Sequence, residues 1–228
     1  MSIYSISDLH LSFGTDKPMY VFGKLWNNYE EKIKENWINT VKESDTVIIP
    51  GDISWGMTLR ESLPDFKYIN DLPGKKIFLR GNHDYYFSTK NKIDNFLKEN
   101  KLDTLILLHN NAYEVEDVII AGTRGWGKTE NSTNELDEKI IKREENRLIL
   151  SLEYAKTLSQ DKEIICALHF PPFIGRFQEI MKEYGVTKCM YGHLHGYGHS
   201  LVKEGIIDGI EYIMVGCDYN NFELRKIK

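Results

Sequence analysis

Five times along this chain a short apolar run stops on aspartate, asparagine or histidine. The run "SIYSIS" (2–7) gives way to Asp8 and His10 in "DLH", and "DTVIIP" (45–50) to Asp52 in "GD". The run "KIFLR" (76–80) leads into Asn82, His83 and Asp84 in "GNHD"; "EIICAL" (163–168) stops at His169 in "LHFPP", and "CMY" precedes His193 and His195 in "GHLHG". Short runs of this composition read as buried strands. Polar clusters at strand carboxyl ends are where open α/β sheets form their ligand crevices. A fold that satisfies all five must bring these strand ends to one rim.

The rest of the chain fits a layered α/β fold. "TLILL" (104–108) is a further strand, and the segments 20–41, 58–69 and 90–100 carry apolar residues at helical spacing. The clearest helix is predicted over Asn134 to Ser159, with Ile141, Leu148, Leu152 and Ala155 on one face and Glu135/Lys139 and Glu138/Lys142 as favourable i,i+4 pairs. "AYEV" and "VIIAG" flank Glu116-Asp117, and "SLVKEGIIDGIEYIMVG" reads as strands with glycine turns, which predicts antiparallel pairing alongside a parallel sheet. Neither a linker nor a repeat divides residues 1–228, so a single domain is expected.

Charge and cysteine usage bound the function. The formal net charge is −5 with scattered basic residues, so no extended nucleic-acid surface is evident and a phosphorylated partner would be held at a local site. No apolar run approaches the roughly 20 residues of a membrane span, and "MSIYSISDLH" shows no basic patch followed by an apolar stretch, so export is not expected. Cys166, Cys189 and Cys217 lie in or beside apolar runs, as free thiols in a reducing compartment do, and a cytoplasmic location is expected.

In an extended chain residues i and i+2 face the same side, so Asp8 with His10, and His193 with His195, can each face one pocket. Imidazole nitrogens mixed with carboxylate and amide oxygens suit Mn, Fe, Zn or Ni. Taken singly, each motif is equally a polar turn, a capped strand end or a core histidine with a satisfied hydrogen bond.

In order, "DLH", "GD", "GNHD", the histidine of "LHFPP" and "GHLH", spanning residues 8 to 195, resemble the metal-binding motifs of the calcineurin-like metallophosphoesterases. The resemblance implies a four-layer α/β/β/α sandwich of mixed sheets. It implies two metal ions, Mn or Fe/Mn foremost, with Zn or Ni also matching the donors. Asp8, His10 and His195 would bind one ion and Asn82, His169 and His193 the other, with Asp52 bridging. His83 would be the general acid, oriented by Asp84 on its far nitrogen.

The expected activity is a metal-dependent phosphohydrolase in which a metal-bound hydroxide attacks phosphorus in line. The expected substrate is a phosphodiester or phosphomonoester of a small molecule or nucleotide. The alternatives are a phosphoprotein phosphatase and a catalytically weak metal-binding scaffold; a sensor using Cys166 and Cys189 is a further rival. Arg124 and Trp55 are weaker candidates for substrate binding, Arg124 because a guanidinium suits phosphate geometry. Trp126, in the same glycine-rich "AGTRGWGK", reads as packing, and His109 and His199 are given no catalytic part.

Overall fold

The computed structural model describes residues 1–127 and 134–228; the last residue of "AGTRGWGK", Lys128, lies outside them. The first sheet sets β1 (Ile3–Ser5), β2 (Thr46–Ile49), β3 (Lys75–Phe78) and β4 (Leu105–Leu107) side by side and parallel. β11 (Arg225–Lys226) runs antiparallel on the free edge of β1. In the second sheet β6 (Val118–Thr123), β7 (Glu163–Leu168), β8 (Val186–Tyr191) and β10 (Ile210–Met214) are parallel neighbours. Two hairpin strands close its edges, β5 (Tyr113–Val115) on β6 and β9 (Gly205–Ile207) on β10, both antiparallel as the sequence predicts. The β9–β10 turn is Asp208-Gly209, both at positive φ (50° and 86°), the backbone that an Asp-Gly pair accepts most readily.

Strand side chains alternate between faces, and that alternation sorts the core into three layers. Ile3, Ile48 and Ile77 of the first sheet meet Val118, Ile120, Ile165, Met190 and Ile213 of the second. Val47, Ile49 and Phe78 point the other way, onto α1 (Tyr29–Thr40), α2 (Leu59–Asn70) and α3 (Lys90–Glu99) through Ile33, Trp37, Phe66, Ile69, Ile93 and Phe96. On the far side Ile119, Ala121, Ile164 and Cys166 pack under Leu148, Leu152 and Ala155 of α4 (Asn134–Leu158) and Phe177 and Ile180 of α5 (Phe177–Glu183). The stack is α/β/β/α. Sheets covered on both faces explain why the central strands read as unbroken apolar runs.

The helix expected over 20–41 is shorter. Only Tyr29–Thr40 is α-helical; Met19–Phe22 and Lys24–Trp26 are single 3₁₀ turns. Gly23 at φ 131° and Asn28 at φ 52° break the helical path. Tyr20, Val21, Phe22 and Leu25 consequently stay exposed, and their apolar spacing does not mark a core face. α2 begins where Thr58 Oγ1 accepts the Glu61 N–H (3.2 Å) and Glu61 Oε2 accepts the Met57 N–H (2.8 Å), a reciprocal cap. Among the described residues no helix is long and apolar enough to cross a membrane.

The loops that follow β1, β2, β7, β8 and β10 are tied to one another across the rim. The Asp8 N–H donates to Gly51 C=O (3.0 Å), that of His10 to Asp52 C=O (3.0 Å), that of Ser7 to Val215 C=O (2.8 Å), and that of Gly192 to His169 C=O (3.1 Å).

Candidate metal centre

Asp8, His10, Asp52 and His193 all sit at positive φ, at 61°, 46°, 52° and 73°. An L-residue held there costs roughly 1–2 kcal/mol, and the inter-loop hydrogen bonds above supply the restraint. These three clusters thereby turn sharply off their strands and aim their side chains inward. Gly81 is required for space and not, as its place in a turn suggests, for conformational freedom. A Cβ there would collide with the Asp52 carboxylate, just as one at Gly192 would collide with the Asp8 carboxylate and the Ser7 hydroxyl.

The structure draws most of the predicted ligands together. Asp8, His10 and His195 form one group of converging donor atoms, and Asp8, Asp52 and His169 another. His10 Nε2 lies 3.2 Å from His195 Nε2, which in turn lies 3.3 Å from Asp8 Oδ1. His169 Nε2 lies 2.7 Å from Asn82 Oδ1 and 3.5 Å from Asp52 Oδ2. Asp52 Oδ2 also stands 3.8 Å from His10 Nε2, between the two groups, while Asp8 is the residue common to both. The His193 ring packs beside His169, with centroids 5.2 Å apart, and against Phe170 at 4.1 Å; its backbone N–H donates to Asp8.

The tautomers sharpen the picture. His169 Nδ1 is 2.9 Å from Pro50 C=O, so in this neutral ring Nδ1 donates outward and Nε2 turns a lone pair inward; His195 Nδ1, 3.0 Å from Asp218 Oδ1, donates outward as well. The His169 lone pair meets other acceptors, Asn82 Oδ1 and Asp52 Oδ2. Acceptor facing acceptor at such distances repels unless a cation stands between them. Asp52 Oδ2 is moreover buried without any hydrogen-bond partner. Uncompensated buried carboxylate oxygens are costly, and a metal ion is the species that removes the cost here. The residues fit such ions.

Charge balance points the same way. Burial, then the charges of Asp84 and Asp8, hold the Asp52 carboxyl well above the usual carboxylate range. Burial opposes ionisation of Asp8 too, but its hydrogen bond and attraction to His195 outweigh that and lower it. Burial holds His169 down to about 3 and His193 to about 4, leaving neutral rings of the kind that ligate metals. His195 is the exception: burial lowers it, but hydrogen bonds to Asp218 and Asp8 carry it up to about 10. In metal-free protein it serves as the cation its neighbours require.

His83 stands beside this cluster, its ring 5.5 Å from His10 and 4.6 Å from Trp55, with Nδ1 3.3 Å from the Tyr85 hydroxyl. The expectation that Asp84 lies on its far nitrogen needs correction. Asp84 is fully buried and accepts from four backbone N–H groups, Oδ1 from Ile53 (2.8 Å) and Ser54 (3.3 Å) and Oδ2 from Asp52 (2.9 Å) and Gly81 (2.7 Å), besides a bond from the Tyr86 hydroxyl. It binds the loop after β2 to the loop after β3, and so positions Asp52 and Asn82 rather than the His83 ring.

Trp55 lies beside the cluster, stacked on His10 at 4.9 Å. Arg124 does not. Its guanidinium pairs with the buried Glu144 of α4 (3.5 Å) and lies over Trp126, and it lines a separate small cavity with Arg80, His109 and Arg147 that includes no predicted metal ligand. Asp218 is the residue sequence reasoning missed. It follows β10 as Asp52 follows β2, in "MVGCD", and "GCD" repeats the pattern of an acid closing a strand. His199, given no part, stands 3.2 Å from Asp218 Oδ2 at the edge of the site. All three cysteines are buried and unpaired, and burial raises each thiol, which disfavours the sensor reading.

The model of the family described as calcineurin-like phosphoesterase matches residues 1–197. A search of curated proteins returns no match. Two solved structures share the fold. TT1561 of Thermus thermophilus is 13% identical with a TM-score of 0.60, covering 98% of this chain and 96% of its own. The protein of unknown function AQ665 from Aquifex aeolicus is 18% identical with a TM-score of 0.54, covering 99% and 95%.

Proposed function

Given that this chain belongs to the calcineurin-like phosphoesterases, we propose that it hydrolyses a small phosphomonoester or phosphodiester with the help of two metal ions. The observation that carries this reading is the convergence of donor atoms from Asp8, His10, His195, Asp52 and His169, with the His169 lone pair facing Asn82 Oδ1 and the orphaned Asp52 oxygen. Asp8, His10 and His195 would hold one ion and Asn82, His169 and His193 the other, with Asp52 shared. Mn or Fe/Mn is the proposed metal, and Zn or Ni suits the same donors. Such ions, when bound, acidify water and offset charge on phosphoryl oxygens.

The chain's own part is to position and to move one proton. The P–O bond to the leaving group breaks as water oxygen joins phosphorus, His83 gives its proton to the departing oxygen, and the proton that the attacking water releases to solvent balances the one His83 takes back. Burial lowers the His83 pKa, so its donor form is present below that pKa and is lost as pH rises through it. Turnover of esters with poor leaving groups should therefore fall with rising pH before that of nitrophenyl esters. His83→Ala should keep its metal and lose roughly 10²–10⁴ in kcat for alkyl esters, with a much smaller loss for nitrophenyl esters. Equal losses for both, or loss of metal, would remove His83 from this role.

His195 supplies a second expectation. Its Nε2 must be bare to ligate, yet in metal-free protein the ring stays protonated up to about pH 10. Loading Mn²⁺ at pH 8 should therefore release about one proton from this residue. Calorimetric titration in buffers of different ionisation heat measures it, and the release should shrink as the starting pH approaches 10. No buffer dependence at pH 8 would show that His195 ligates without titrating.

The direct test is hydrolysis of an aryl phosphodiester and an aryl phosphomonoester by protein stripped of metal and reloaded with Mn²⁺. Metal-restored turnover supports the enzyme, and the ratio of rates gives the ester class. Absence of turnover in protein holding two ions favours the scaffold alternative. We take residues 1–228 as one catalytic domain, since both sheets share one interior layer and both contribute ligands. The reduced, buried cysteines support a cytoplasmic setting.

A further inference from the structure

Beside the metal centre opens a cavity of about 620 Å³ whose lining divides into a polar and an apolar set. The polar residues on its wall, His10, His83, His195, His199 and Asp218, all belong to the metal end or its support. The remainder is Met19, Phe22, Leu25, Trp26, Trp55 and Tyr197 with one glycine, and it presents neither a charged side chain nor an amide. Phe22 is 67% exposed, Leu25 44% and Tyr197 wholly so, an apolar rim of a kind that water-facing surfaces ordinarily hide. Phe22 and Leu25 are among the residues that the break at Gly23 keeps out of the α1 face, so the same backbone interruption that shortens the helix builds the cavity wall.

We propose that this cavity receives the leaving group of the substrate, and that this group is an uncharged apolar moiety of aryl or alkyl chemistry. The inference rests on the phosphoesterase reading, because His83 on the wall marks the leaving-group side. Against Met19, Phe22 and Leu25 the donors and acceptors of a sugar or a peptide would find no partner, and outside the metal end only the Tyr197 hydroxyl and the indole N–H groups could pair any, so each remaining polar group would cost affinity. An apolar group loses no hydrogen bonds there and covers exposed Phe22, Leu25 and Tyr197. The volume lies within the range of sites that enclose small organic ligands.

Two arms separate the sources of apolar chemistry: phenyl against 2-naphthyl phosphate, and ethyl against octyl phosphate, each as monoester and as methyl diester, with Mn²⁺-loaded protein. In at least one arm kcat/KM should rise about tenfold or more with the larger group, and glycerol phosphate should gain nothing. In the double variant Phe22→Asp/Leu25→Asp, both positions being well exposed, that gain should fall to within about twofold. Equilibrium dialysis of 2-naphthol and octanol against the metal-free protein gives a readout independent of turnover, and the double variant should weaken binding about tenfold. Equal kcat/KM across both arms, or alcohol binding indifferent to the double variant, overturns the proposal. If no ester is turned over, the phosphoesterase reading fails, and dialysis alone then decides the chemistry of the cavity.

Discussion

Asp52→Asn should lower turnover of aryl phosphate esters by roughly a thousandfold, about 4 kcal/mol of transition-state stabilisation, and leave protein with less than its full metal content. The reason is local. Asp52 Oδ1 accepts the His83 N–H (2.7 Å), a bond that an asparagine oxygen can keep, so the loop retains its path. Oδ2, buried and unpartnered between His10 and His169, is the atom that the substitution turns into an amide. An NH₂ group placed there donates where a cation must sit.

Stability of the metal-free protein should move in the opposite direction. The Asp52 pKa is raised in the folded chain, so its ionisation opposes folding above the ordinary carboxylate pKa near 4, and the penalty vanishes below it. Replacing the carboxylate by a neutral amide removes that penalty, and at pH 7 the chelator-treated variant should melt higher than chelator-treated wild type. Elemental analysis and thermal unfolding measure the two halves. Full metal content in the variant would take Asp52 out of the ligand set, whatever happens to activity.

What is legible in the sequence is the set of strand ends. An apolar run closed by aspartate or histidine has few structural uses, and five such runs must share a rim once the strands are parallel. The layers follow from the same runs, because strands without polar alternation must be covered on both faces. The departures have a common physical origin. Asp84 follows His83 in sequence and so reads as its orienter, but the backbone bends at Asn82 and His83 and delivers the carboxylate to four amides instead. Arg124 reads as a phosphate ligand because its competitor, Glu144, lies 20 residues away on α4. Asp218 escapes notice because its use is set by His195 and His199, about 20 residues before it in the chain. In all three, a partner distant in the chain decides the side chain's use.

Asp84→Asn tests the corrected role most directly. The carboxylate accepts four backbone N–H groups from two loops, and an asparagine presents one acceptor oxygen and one NH₂ to the same ring of donors. Whichever way the amide turns, a donor faces two donors in a site with no access to water. Hydrogen bonds to a charged acceptor are worth about 1.5–3 kcal/mol each, so losing two and burying their donors should cost roughly 3–5 kcal/mol. For a chain of this size that lowers the melting temperature by roughly 10 °C. Metal content should fall with it, since Asp52 and Asn82 sit on the two loops that Asp84 holds together. Sequence adjacency alone makes a different forecast: a carboxylate that only oriented His83 would leave melting and metal untouched and alter the pH dependence of poor leaving groups alone. His83→Ala, measured alongside, supplies the comparison, because it removes the proposed acid without touching the clasp. An Asp84→Asn protein that melts with wild type and keeps its metal would return Asp84 to the side of His83.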